Sequence, residues 1–493
     1  MTSVKPVHHY IDGEFRSGKE GRSFNTLNPA TNEPITDVAE GLAEDIDAAV
    51  TAARRAFDQG EWPHLPARER ARYLEHIADG IEAHGDEISA LEGLDVGLPV
   101  TQARGQAQRA AENFRFFARE IQQDRTESYR VGDAFLNYVI RKPVGVAGLI
   151  TPWNTPFMLE TWKVAPCLAT GNTCVLKPAE WSPLSAGKLA EVIDEAGLPP
   201  GVFNVVNGFG EVAGASLVAH EGVQLISFTG ETATGQEIMR NGAATLKRYS
   251  FELGGKSPVV VFADCDFDRA VDASVFGVFS LNGERCTAGS RLLVERSIYD
   301  SFVEVVAERA RNVKVGDPSD PETELGPLIH PEHHERVTGY IEAGRREGAR
   351  LVAGGAPPQG LAEGNYLAAT VFADVTPQMR VFQEEIFGPV VVVTPFEDEA
   401  DAVSLANAVD YGLAGYVWCT DLQRAHRVAQ EIDAGMVWIN SQNVRDLRTP
   451  FGGAKRSGIG REGGHYSFEF YCEQETIHVA LGDHHIPRFG VGG

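Results

Sequence analysis

The chain has 493 residues, 43% hydrophobic and 23% charged, which is too long for one simple core and predicts two large domains plus a minor element. Lys and Arg number 44 against 69 Asp and Glu, a formal charge of −25, and a field of that sign repels nucleic acid and anionic lipid. No apolar run approaches the roughly 18 residues of a membrane helix, the start MTSVKPVHHYIDGEF has no signal-peptide core, and six cysteines without clustered spacing fit a reduced, cytoplasmic compartment.

In chain order, DIDAAVTAARRAF, ARERARYLEHIADGIEAHGDEISALEGLD and TQARGQAQRAAENFRFFAREI repeat apolar residues every three or four positions, so residues 45–125 are expected to be helical. Next, TESYRVGDAFLNYVI places Gly132 and Asp133 between two alternating segments, which predicts a hairpin with a two-residue turn. It has little core of its own and is expected to pair with another subunit. From Val144 the runs VGVAGLI, TCVLK, VFNVV, VQLISF and SPVVVF alternate with helical stretches. Continuous hydrophobicity of this kind marks strands buried on both faces of a parallel sheet. A second such region, with GPVVVVTPF and GMVWIN, runs from about 255 to 453, and the tail YCEQETIHVALGDHHIPRFGVGG reads as a strand and an irregular arm.

Ligands of open α/β sheets bind beyond the carboxyl ends of the strands, and the motifs fall there. TPWNTPF follows VGVAGLI and offers the amide of Asn154 to a developing oxyanion. TCVLKPAE ends in Lys177 and Glu180, suited to ribose hydroxyls, and VQLISFTGETATG gives a strand, a turn at Gly230 and a helix start fit for a pyrophosphate. SGIGREGG matches GxGxxG but follows no predicted strand, so it is read as no dinucleotide fingerprint. The histidines of HPEHHE (His330, His333 and His334) are read as a solvated first helical turn after Pro331, and no metal site is expected.

The most specific pair is FELGGKS with FSLNGERCTAGS. The helix DFDRAVDASVFGVFSLNG is expected to end at Gly283 and leave Cys286 at a fixed interior point. A thiol there can attack an aldehyde carbon, and Glu252 can take its proton and later activate a water.

TPWN, KPAE, FTG, ELGGKS, GERC, EEIFGPV and PFGG in this order resemble the NAD(P)-dependent aldehyde dehydrogenase superfamily over essentially the whole length. The resemblance implies an α/β fold with two Rossmann-type parallel-sheet domains and a small β oligomerisation element. It divides the chain into an NAD-binding domain (1–122 and 144–254), a catalytic domain (255–455) and an oligomerisation element (123–143 and 470–493). It implies Cys286 as nucleophile, Glu252 as general base, Asn154 with the Cys286 N–H as oxyanion hole, and Glu462 in proton relay. Ile150, Thr151, Pro152, Trp153, Lys177, Glu180, Gly210, Phe228, Gly230, Glu385 and Phe387 would contact the cofactor, expected to be NAD because Glu180 repels a 2′-phosphate. Glu231 stands where many members have a small hydroxyl residue, and its side chain is expected to turn away from the pyrophosphate. In SQNVRDLRTPFGG, Arg445 lies in a segment that lines the substrate entrance of the superfamily, and Arg109 lies on a helix bordering the same tunnel. Both suit an anionic aldehyde, a carboxylate-bearing semialdehyde. Arg448 is read as a salt-bridged surface residue. A homodimer or homotetramer is expected.

Overall fold

A computed structural model describes residues 4–490 apart from 124 and 362. The N-terminal helices occupy Ala43–Asp58, Ala67–Ala83, Gly85–Val96 and Val100–Glu120. Their three-to-four spacing turns one stripe inward: Leu74, Ile77 and Ile81 share a core with Ala110, Phe114 and Phe117, and each large side chain buried there contributes about 1.5–3 kcal/mol. Gly97 ends the third helix at φ +79°. A Cβ there would stand 2.7 Å from the Pro327 carbonyl oxygen, so only glycine fits.

The apolar runs become the centres of two parallel sheets. In the first, Phe203–Val205, Thr173–Lys177, Val146–Ile150, Leu225–Thr229 and Arg248–Glu252 lie side by side, all parallel. The chain enters at Val146–Ile150, moves outward twice, then returns to the other side at Leu225–Thr229. The order therefore reverses between these two strands, and a crevice opens beyond their carboxyl ends. Register sets Lys177, Ile150 and Phe228 level across it, with Phe251 next and Glu252 one residue further on.

The second sheet runs Thr370–Ala373, Val390–Phe396, Arg291–Glu295, Pro258–Val261, Ala414–Trp418 and Met436–Ile439, parallel throughout, with Arg350–Ala353 antiparallel on one edge. The chain then crosses back, and Gly458–Ile459 pairs antiparallel with Phe251 and Glu252 at the edge of the first sheet. SGIGREGG is thus an edge strand beside the last strand of the first sheet. Gly458, at φ +152°, is needed because a Cβ would overlap the Phe251 carbonyl.

A third, antiparallel sheet joins Ser128–Val131, Phe135–Pro143 and Cys472–Ala480. The hairpin turn has three residues rather than two, since Val131 pairs with Phe135 and leaves Gly132, Asp133 and Ala134 between them. After Ala480, residues 481–490 form no helix or strand, and 491–493 of the expected arm lie outside the described residues. Among the described residues no helix is long and apolar enough to cross a membrane.

Candidate active site

The helix leading to Cys286 is capped by Asp266, which accepts from the Arg269 N–H, and it stops at Phe279 rather than at Gly283. Leu281 and Asn282 then take left-handed conformations, φ +54° and +58°, which cost about 1–3 kcal/mol each and persist only where surrounding contacts enforce them. Those contacts are present. Gln102 accepts the Leu281 N–H at 2.6 Å, while the Asn282 amide donates to the Gly97 and Pro327 carbonyls and accepts from Gly326 N–H at 2.7 Å. Gly283 follows at φ +71° against Gly388, with no room for a Cβ. Cys286 is left half-buried on a rigid loop. Burial pushes its thiol up to about 11, the negative charges of Glu252 and Glu385 add to this, and Arg285 and Arg445 oppose it. At neutral pH such a thiol is almost wholly protonated and needs a base.

Glu252 ends its strand buried, and neither carboxylate oxygen accepts a hydrogen bond. Burial, then the charge of Glu462, holds its carboxyl well above the usual range, while Lys163, Arg445 and Arg461 pull the other way. The glycines around it are cut to fit. A Cβ on Gly254 would overlap the Glu385 carboxylate, one on Gly255 would stand 2.5 Å from the Cys286 carbonyl, and one on Gly452 would stand 2.7 Å from Glu252 Oε1. ELGG and PFGG therefore let the nucleophile loop, the base and Glu385 converge.

Glu462 is fixed where Glu252 has no partner. Its carboxylate accepts from Trp162 Nε1 at 2.5 Å, Lys163 Nζ at 2.9 Å and Ser227 Oγ at 3.2 Å. Its backbone pairs both ways with Phe451. Lys163, fully buried, also donates to Ser227 at 2.8 Å. Sequence reasoning missed Lys163, although a lysine in the mostly apolar helix Pro156–Ala169, which also holds Glu160 and Thr161, signals a buried partner. That helix starts just after Asn154, whose Nδ2 donates to the Glu284 carbonyl at 2.8 Å. The bond orients the amide and leaves its second N–H free.

The model of the aldehyde dehydrogenase family matches residues 15–477. The 5-carboxymethyl-2-hydroxymuconate semialdehyde dehydrogenase of Escherichia coli is 52% identical over 470 residues, 94% of this chain and 99% of that protein. This chain belongs to the aldehyde dehydrogenase family. The solved structure of HpcC from Thermus thermophilus superposes with a TM-score of 0.96 at 55% identity, covering 99% of this chain and 95% of that one. An NAD+ complex of an aldehyde dehydrogenase from Bacillus cereus gives 0.95 at 43%, covering 97% of each.

In this aldehyde dehydrogenase several residues expected at a dinucleotide stand about the carboxyl ends of these strands. Lys177, buried, pairs with Glu180 at 2.9 Å. The hydroxyls of Thr151 and Thr229, on the two sides of the strand-order reversal, are buried with no protein partner. Ile150 is buried in the core, Pro152 is half-buried, and Trp153 packs on Trp181, His333 and Phe387 at 5.8, 4.9 and 5.2 Å. Gly210 is exposed and a Cβ there would meet nothing. Two expectations change. The ring of Phe228 turns into the core, 6.0 Å from Phe251, leaving only its backbone for the crevice, and Gly230 is required by that ring, which a Cβ would overlap. Glu231 points to Arg336 at 3.5 Å. Glu385 accepts the Gly255 N–H at 2.8 Å, and burial raises it to about 7. Phe387 sits at φ +60°, its carbonyl held by His333 at 2.7 Å. His330 caps its helix and stacks on Trp181 and His333 is buried, so this first turn is packed against the protein rather than solvated as expected.

On the substrate side, Arg445 stacks on Phe451 at 3.9 Å and Trp162 at 4.8 Å and has no carboxylate partner among the described residues. Among the described residues Arg109 has only the Gln106 amide oxygen at 3.2 Å. Burial lowers the two to about 10 and about 9, still cationic at neutral pH, and the Cys286 thiolate is among the charges that raise each. Arg448 is exposed and paired with Asp446. Arg285 is a third cation by the thiol, and sequence reasoning passed over it.

Proposed function

We propose that this enzyme oxidises 5-carboxymethyl-2-hydroxymuconate semialdehyde to the acid with NAD. The observation that carries the substrate is the pair Arg109 and Arg445, cations without carboxylate partners among the described residues, beside the thiol of a strongly acidic chain. An anionic aldehyde supplies the missing charge. The name of the E. coli relative supports the same substrate. NAD fits the orphaned Thr151 and Thr229 hydroxyls and the Lys177–Glu180 pair, and the Bacillus cereus complex supports it. Lys177 and Glu180 would hold its adenosine ribose, Glu385 its nicotinamide ribose, and the Glu180 carboxylate would disfavour NADP.

The Cys286 sulfur adds to the aldehyde carbon while its proton passes to Glu252, whose carboxylate oxygens are free to accept it. The carbonyl oxygen, now negative, is met by the second N–H of Asn154 and by the Cys286 N–H, together worth several kcal/mol, about 3 for one such donor. When bound, NAD supplies the acceptor for the hydride leaving the thiohemiacetal carbon. A thioester on Cys286 remains. Glu252, its proton released, takes one from water as the oxygen adds to the thioester carbon. The C–S bond then breaks, the acid departs and the thiol is reprotonated. Glu462, fixed by Lys163 and Trp162, carries the negative charge near Glu252 along which that proton can leave. The free cysteines fit a cytoplasmic enzyme, and the exposed edge at Tyr129 and Val131 is offered to a second copy of the chain.

The test is NADH formation with this semialdehyde, 2-hydroxymuconate semialdehyde and hexanal, in wild type and Arg445→Ala. The carboxylated aldehydes should lead hexanal by orders of magnitude in kcat/KM, with the lead lost in the variant. Equal use of hexanal by the wild type refutes the substrate.

A further inference from the structure

Arg285 stands immediately before the nucleophile, half-buried. Its guanidinium donates through Nε to Thr287 Oγ1 at 3.1 Å and through Nη1 to Ser280 Oγ at 3.0 Å. Both acceptors are neutral hydroxyls, and no carboxylate lies within ion-pair reach among the described residues. Its Nη2 donors are unspent. Among the described residues Arg109 and Arg445 share this isolation from carboxylates, and the charges act on one another: Arg445, then Arg285, help to lower Arg109 after burial has done most, and Arg285 also lowers Arg445.

Three unpaired guanidiniums crowded around one thiol repel one another, and the arrangement becomes favourable when anions enter. One carboxylate is satisfied by a bidentate pair of arginines. The proposed substrate has two. One ends the unsaturated chain, far from the aldehyde. The other is on the carboxymethyl arm, which branches from the carbon that bears the aldehyde, so its carboxyl carbon is three bonds from the carbon that joins Cys286. A group tethered so closely to the sulfur can reach only a cation close to Cys286. Arg285, the next residue in the chain, is tied in position to the sulfur, whereas Arg109 and Arg445 are carried by other elements, the helix Val100–Glu120 and the loop after Met436–Ile439.

We infer that Arg285 is the specificity residue for the second carboxylate, gripping the arm nearest the reacting carbon while Arg109 and Arg445 take the remote one. This rests on the substrate reading above. Arg285 thereby separates a dicarboxylated semialdehyde from the otherwise similar 2-hydroxymuconate semialdehyde, which lacks the arm.

The experiment measures kcat/KM for both semialdehydes and for hexanal in wild type, Arg285→Gln and Arg285→Lys. Because the ratio of two substrates in one preparation does not depend on how much of it has folded, a partly unfolded variant still reports. The glutamine variant is expected to lose about 30- to 100-fold on the dicarboxylate and less than about threefold on the other two, with lysine restoring part of the lost preference. An equal fall on all three aldehydes makes Arg285 a brace for the nucleophile loop and overturns the assignment, as does an unchanged ratio. A wild type that prefers hexanal overturns the substrate reading and this one with it. A wild type that favours carboxylated aldehydes while Arg285→Gln keeps its preference for the arm removes Arg285 alone.

Discussion

Lys163→Met and Glu462→Gln should move the pH dependence of catalysis in opposite directions. The two residues form one buried ion pair at 2.9 Å, with Lys163 fully enclosed. Glu252 lies beside them, raised by the charge of Glu462 and lowered by that of Lys163. Glu252 acts only when deprotonated, so turnover rises as pH passes its value. Removing the ammonium leaves the base harder to ionise, and the rising limb of kcat moves to higher pH. Removing the Glu462 charge makes it easier, and the limb moves to lower pH. Stability should report the pair as well. Taking one partner from a buried pair costs about 3–5 kcal/mol, because Glu462 would keep only Trp162 and Ser227, while the double substitution should recover much of that loss. The assays are kcat against pH at saturating aldehyde and urea midpoints for the four proteins of the cycle. Profiles that shift the same way in both single variants, or not at all, would refute the placement of this pair as the electrostatic setting of Glu252.

Two further outcomes are expected. Gly452→Ala puts a Cβ 2.7 Å from Glu252 Oε1 at φ +152°. Its kcat should fall at least about tenfold with cofactor affinity kept, whereas unchanged turnover would mean that the base can move aside without loss. Glu92 is buried, with one oxygen on the Phe157 N–H and the other unpartnered, and burial raises it from 4.5 to about 8. Between those values the folded chain holds a proton that the unfolded chain has lost, so stability from this group is full below 4.5 and declines as pH rises toward 8. Glu92→Gln should therefore match wild type in acid and melt higher above about pH 8. A melting difference independent of pH would contradict this.

Cys286, Glu252 and Asn154 were legible because each stands in a short motif at the end of an apolar strand or helix, where the parallel-sheet pattern puts a binding edge. The helical character of the N-terminal region was legible for the same local reason, an apolar residue every three or four positions, although the second of the three runs divides at His84 into two helices. What escaped depends on distant parts of the chain. The helix before Cys286 stops early because Gln102, on another helix, holds Leu281 in a left-handed turn. Phe228 faces the core because Phe251 packs against it from the next strand. Lys163 and Arg285 sit in segments whose apolar or catalytic neighbours dominate the reading, and their importance appears only when their partners, or the lack of carboxylate partners, are seen in space. The extra hairpin residue follows from the pairing of Val131 with Phe135, which composition does not specify.

The strand that carries Glu252 is flanked on its outer side by Gly458–Ile459, which the chain delivers only after completing the second sheet. During synthesis the first sheet must wait with that flank open while some two hundred more residues leave the ribosome, and the partner of Lys163 emerges later still, at Glu462. A break near residue 254 would therefore leave the first sheet without its outermost strand, which belongs to the other fragment. The two halves become an enzyme together, and a late-arriving ribbon of a few residues is what commits them.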